Sequence, residues 1–143
     1  MKKVISLLIC GILLAGMLPI ASFAAIKEEV TVMPMYNNTT NVTSRFVIEE
    51  GVAKLTVAYV GKFNTLTRGV ITSKIQVQTS NGWVDVNNGE LNNEWVDEST
   101  NITFSITHTQ EVPRGTYRAL ITFEMYGTGG SADIIERTYE YTY

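Results

Sequence analysis

The sequence predicts an all-β fold, a two-sheet antiparallel sandwich of about seven or eight strands built without a disulfide. Three observations predict it. Beyond residue 24, Thr, Val and Ile make up about a third of the chain, whereas Leu and Ala are scarce. Branching at Cβ suits a pleated strand and restricts rotamers in a helix. Apolar and polar residues alternate with period two in successive segments, and no stretch after the N-terminus sustains a 3.6-residue apolar stripe. Short turns join these segments, so each strand has one apolar face to bury, and two packed layers bury them all. A closed barrel is the main alternative.

The elements follow in order. Ser44 to Ile48 reads as the first strand, with Ser44, Phe46 and Ile48 on one face, and Glu49-Glu50-Gly51 turns the chain. A second strand puts Ala53, Leu55, Val57 and Tyr59 on one face, and Gly61 to Asn64 closes it. The third, Val70 to Thr79, turns Ile71, Ser73, Ile75 and Val77 inward. Ser80-Asn81-Gly82 is a hairpin turn, because Asn-Gly readily supplies positive φ. Trp83 to Val86 returns as a short strand, Asn87 to Asn93 is a polar loop, and Glu94 to Asp97 is a further short edge strand. Ile102, Phe104, Ile106 and His108 then share one face, opposite Thr103, Ser105, Thr107 and Thr109. After a turn at Val112 to Gly115, a long strand presents Tyr117, Ala119, Ile121, Phe123 and Met125. The loop Gly127 to Ser131 leads to the last strand, Ile134 to Tyr143.

Domain organisation is read from the N-terminus. Met1-Lys2-Lys3 is a positive start, Val4 to Ile20 an apolar run, and Ala21-Ser22-Phe23-Ala24 a small-residue segment. That layout is a secretory signal peptide cut after Ala24. About 20 apolar residues could also span a bilayer as a retained anchor, but Pro19 and the small residues after it favour cleavage. Cys10 lacks the small residue that a lipid-processing site needs before it, so it is expected to leave with the signal. The expected division is 1–24 signal peptide, 25–42 extended and poorly packed leader, and 43–143 sandwich. No second apolar span or anchoring tail follows, so the product is expected to be secreted and extracellular, with no membrane association after cleavage.

The chain has 143 residues, a net charge of −3, one Cys and one His. The charge excludes a generic nucleic-acid binder, which carries a basic excess. One His and one Cys cannot build a multi-ligand His/Cys metal site within one chain, so no such metal and no cofactor is expected, and an oxygen-ligated calcium site near Asp85 to Glu90 is left open.

At Pro113-Arg114-Gly115-Thr116-Tyr117-Arg118-Ala119 the sequence resembles the corner between strands E and F of immunoglobulin-like sandwiches. The resemblance implies that Tyr117, following Gly115, sends its hydroxyl back to the chain just upstream, and that Ala119 occupies the second bridging cysteine's position. Leu55 or Val57 would lie opposite. Both bridging cysteines and the strand-C Trp are absent, and Ile75 fills the Trp position. With its signal peptide and short polar leader, the chain looks like small secreted proteins of Gram-positive bacteria, a resemblance that carries no active site with it.

Chemistry-bearing residues are few. His108 is the one imidazole, and no elbow-type Ser or Cys nucleophile accompanies it. Glu94, Asp97 and Glu98 form an acidic cluster, but Glu94 and Asp97 point to opposite strand faces, which speaks against paired carboxylates. Asp85 to Glu90 offers oxygen ligands, with Glu90 where an EF-hand needs Gly and Val96 where it needs Glu. Trp83 and Trp95 flank this loop; exposed and coplanar, they would stack on sugars. Tyr139, Tyr141 and Tyr143 share one face. The reading is a secreted, non-catalytic sandwich acting by surface recognition or as an extracellular structural component. Its partner is an unknown extracellular or cell-envelope ligand, glycan or protein. The alternatives are a carbohydrate-binding module using Trp83 and Trp95, and a small hydrolase using Glu94, Asp97 or His108.

Overall fold

The computed structural model describes Lys27–Glu29 and residues 36–143. The expected signal peptide and most of the expected leader, including Met33-Pro34-Met35, lie outside the described residues. Among the described residues nine strands are present: β1 (Lys27–Glu29), β2 (Thr39–Glu49), β3 (Val52–Gly61), β4 (Leu66–Thr79), β5 (Gly82–Asp85), β6 (Trp95–Ser99), β7 (Thr103–Glu111), β8 (Thr116–Gly127) and β9 (Asp133–Thr142). The expected strands correspond to β2–β9. The larger sheet runs β1-β9-β8-β4-β5, with β6 also on β4, and the smaller runs β2-β3-β7. Every pairing is antiparallel.

Alternation explains the layering. In β8, Tyr117, Ala119, Ile121, Phe123 and Met125 are all buried, as expected, and the residues between them are not. In β3, Ala53, Leu55, Val57 and Tyr59 face them from the other sheet. Ile71 and Ile75 complete the centre from β4, so Ile75 does fill the core. Burying each large apolar side chain contributes roughly 1.5–3 kcal/mol, which makes this stack the main source of stability. Gly69 shows how tightly the layers meet: a Cβ there would lie 2.6 Å from the Tyr59 ring.

Turn chemistry sets the registers. Glu50 and Gly51 both have positive φ and join β2 to β3 in two residues, the twist that a tight hairpin requires. At the β4–β5 hairpin, positive φ falls on Gly82 and not on Asn81. Thr79 stabilises that turn, its hydroxyl donating to Gly82 O at 2.8 Å.

The expected tyrosine corner forms. The Tyr117 hydroxyl donates to Pro113 O at 2.8 Å, and Gly115 exchanges backbone hydrogen bonds with Tyr143. A Cβ on Gly115 would press on the Tyr117 ring at 3.3 Å. Burial raises the Tyr117 pKa. Ala119 is fully buried, as are Leu55 and Val57, and all three belong to the same apolar core.

Three expectations change. The first long strand begins at Thr39, not Ser44, and the polar run before it is built into the fold. Asp133 is buried, and its carboxylate accepts the backbone N–H groups of Asn37 and Asn38 at 2.9 and 2.8 Å. Buried Asn38 in turn donates to Met125 O and Ser131 O. These bonds fasten the start of β2 to the β8–β9 hairpin. β1, which falls in the expected leader, pairs with β9. Ile102, expected with the apolar face of β7, precedes that strand and is exposed, its carbonyl accepting Gly61 N–H.

Candidate functional site

β4 is long enough to pair with two short strands along one edge, β6 at its first half and β5 at its second. This arrangement decides what the two tryptophans do. Trp83 pairs with Gln78 and Trp95 with Ser73. Ser73 is a buried, inward residue, whereas Gln78 belongs to the outward set of β4. Successive side chains alternate between faces, so the rings lie on opposite sides of the sheet. The coplanar two-ring sugar platform is therefore not assembled.

Trp95 closes the side of the sandwich between β6 and β7. Its ring stacks on His108 with centroids 4.7 Å apart and planes 5° apart. His108 Nε2 lies 2.7 Å from Asp97 Oδ2, and both side chains are only 13% exposed. Asp97, two residues beyond Trp95, shares its inward face, and a carboxylate there fixes the imidazole at the rim of the core. Among the described residues, Asp97 is the one hydrogen-bond partner of His108. Trp95, like Phe104 and Ile106 of β7, is partly buried and packs against the core. Tyr59 completes this side: its ring stacks on Phe104 at 5.8 Å, and its hydroxyl donates to Ser99 O and Asn101 O. Burial raises the Tyr59 pKa, opposed by its hydrogen bond to Ser99.

Trp83 belongs to a different array on the outer face of the larger sheet. Arg118 of β8 lays its guanidinium over the ring, 4.5 Å from the centroid. Its Nε donates to Gln76 Oε1 at 2.7 Å, and Gln76 Nε2 donates to Asp85 Oδ1 at 2.6 Å. Lys74 Nζ then bridges Asp85 and Glu94 at 3.5 and 3.3 Å. Cross-strand register makes the row: Asp85 is opposite Gln76, which is opposite Arg118. Each planar group is held by the next, which brings together an aromatic face, two cations and two carboxylates from β8, β4, β5 and the residue before β6. The sequence expectations singled out Trp83 but missed Arg118, Gln76 and Lys74; the outward parity of β4 and β8 was the signal that could have found them.

The expected acidic cluster is divided. Glu94 goes outward to Lys74, Asp97 inward to His108, and Glu98 outward towards Arg68 at 3.7 Å. Carboxylates so separated do not face each other across a cleft. In the Asp85 to Glu90 segment, Asp85 is engaged by Gln76 and Lys74, while Asn87 and Asn88 accept the N–H groups of Gly89 and Glu90. Among the described residues no cluster of three metal-ligating side chains occurs, and no helix is long and apolar enough to cross a membrane. Of the terminal tyrosines, Tyr139 is buried and tied to Ser44, Tyr141 meets the Phe46 ring edge-on at 6.4 Å, and Tyr143 lies beneath Arg114.

The fold and this geometry define an all-β sandwich with an ordered polar and aromatic array on one outer face. The chain matches no protein-family model, and no curated protein is similar to it in sequence.

Proposed function

We propose that the chain is an exported, non-catalytic recognition protein, of the small secreted Gram-positive kind, whose ligand-facing surface is the outer face of the larger sheet. One observation carries the reading: the Trp83–Arg118–Gln76–Asp85–Lys74–Glu94 array is linked by stacking, hydrogen bonds and ion pairs on the outer face of the larger sheet, away from the sandwich interior. Ordered aromatic and charged groups bind with little further loss of side-chain freedom, and Trp and Arg are the side chains most enriched at binding hot spots. Export is supported by the charged start, apolar run and small-residue segment of residues 1–24. The one imidazole supports the non-catalytic part of the proposal, since it is spent on Asp97 and Trp95 at the core rim.

The test is binding of the purified protein to isolated cell envelope and to concentrated culture medium of the producing cells. Trp83→Ala and Arg118→Ala are expected to lose at least most of the retained protein while keeping the wild-type β-rich circular dichroism. Undiminished retention by both folded variants would place recognition elsewhere. Retention lost only on Trp95→Ala would reverse the assignment of faces.

A further inference from the structure

We infer that the free edge of β7 pairs with β7 of a second copy, joining two small sheets into one continuous antiparallel sheet across a two-fold axis. Unpaired strand edges are templates for association, and folded proteins blunt them by shortness, bulges, charge, proline or cover. Among the described residues the other edge strands, β1, β2, β5 and β6, carry such devices. β1, β5 and β6 have three, four and five residues. β2 is bulged between Thr39 and Asn41, and Tyr139 reaches over to take the Ser44 carbonyl at 3.0 Å.

β7 carries only one of them, the charge of Glu111 at its last position. It runs nine residues, Thr103–Glu111, with no register shift against β3 and no Lys, Arg or Pro. Among the described residues its one paired neighbour is β3. The free bonding groups can be identified. Gly61 N–H donates to Ile102 O at one end of the ladder, and Val112 N–H donates to Gly51 O at the other. Antiparallel pairs alternate between bonded and non-bonded, so the even-numbered residues of β7 bond to β3. Thr103, Ser105, Thr107, Thr109 and Glu111 therefore aim their amides and carbonyls away from it, and all five are exposed.

The strand's own sequence selects a second copy as the occupant. An antiparallel pairing centred on Thr107 uses the whole strand and puts Thr103 opposite Glu111, Ser105 opposite Thr109, and Thr107 opposite itself. Every bonded pair in this register joins two outward-directed residues, and no like charges meet. On the inner side Ile106 falls opposite His108 and Phe104 opposite Gln110. Phe104 and Ile106 are only half-buried, whereas Tyr59 and Val57 opposite them on β3 are buried. An added strand covers that remaining apolar surface.

Two measurements on the full chain test the pairing. Sedimentation of the purified protein should show a concentration-dependent dimer. Thr107→Lys, which sets two ammonium groups face to face at the axis, should weaken association by about tenfold while leaving the circular dichroism unchanged. Cysteine placement then reads the register. Bonded antiparallel pairs have Cα atoms about 5.5 Å apart, within reach of a disulfide. In a Cys10→Ala background, Thr107→Cys should cross-link to itself on mild oxidation. Ser105→Cys and Thr109→Cys should each fail alone and cross-link when mixed. A monomer at every concentration, equal cross-linking at all three positions, or a monomer whose β7 edge takes up a peptide from another protein would each overturn the inference.

Discussion

Trp83 and Trp95 flank one loop and sit on strands that share one edge of β4, yet they meet different surroundings. Trp95 packs against the core, flat on an imidazole that a carboxylate holds from the side. Trp83 lies on the outer face, its ring 4.5 Å from a guanidinium that belongs to a hydrogen-bonded row. The difference comes from parity alone. A shift of one residue in register moves a side chain to the other face of a sheet, and the loop between β5 and β6 supplies that shift. The lesson is a division of labour across the thickness of one sheet: the inner indole–imidazole stack closes the sandwich, and the outer indole–guanidinium pair lies on the face proposed for a ligand.

The largest expected effect tests the inner half of this comparison. Trp95→Ala should destabilise the fold by about 3 kcal/mol, because a large half-buried ring and its stacking contact are lost and a cavity opens beside β7. Chemical unfolding followed by circular dichroism measures it. Asp97→Ala should cost about 2 kcal/mol by the same measurement, since it leaves the enclosed His108 nitrogen without its charged partner. Trp83→Ala should cost less than about 1 kcal/mol, the usual worth of an exposed cation–aromatic contact. Reversal of this order would break the comparison.

The smallest effect sharpens it by pH. Tyr59 and Tyr117 sit on the inner side, and burial raises both above the ordinary tyrosine value of 10.0. As pH rises past that value the unfolded chain gives up these protons first, so the native state then holds more protons than the unfolded one. Stability therefore stays level below pH 10 and declines as pH climbs through the folded-state values. Unfolding midpoints across the alkaline range should fall in wild type. Tyr117→Phe, which loses about 1 kcal/mol with the Pro113 bond, should show a shallower alkaline decline.

Strand identity was legible wherever a strand has one wet face. The buried set of β8 and the inward set of β3 are the alternation read directly from the sequence, and Gly115-Thr116-Tyr117 was enough to place the corner. The start of β2 was not legible. Asn37 and Asn38 resemble a solvated leader locally, and only Asp133, Met125 and Ser131, distant in sequence, give them buried partners. The candidate site was half legible: Trp83 announces itself by residue type, but Arg118, Gln76 and Asp85 become a row only through cross-strand register. That the two rings occupy opposite faces depends on a loop conformation, with Asn92 and Asn93 both at positive φ, that no periodicity reports.

Single-tryptophan proteins put the central claim, an inner ring for folding and an outer ring for recognition, to its most direct test. Trp83→Phe leaves Trp95 as the one emitter, and Trp95→Phe leaves Trp83. On titration with solubilised envelope from the producing cells, emission from Trp83 should shift while that from Trp95 stays constant until the protein unfolds. A response from Trp95 with Trp83 silent would contradict the account.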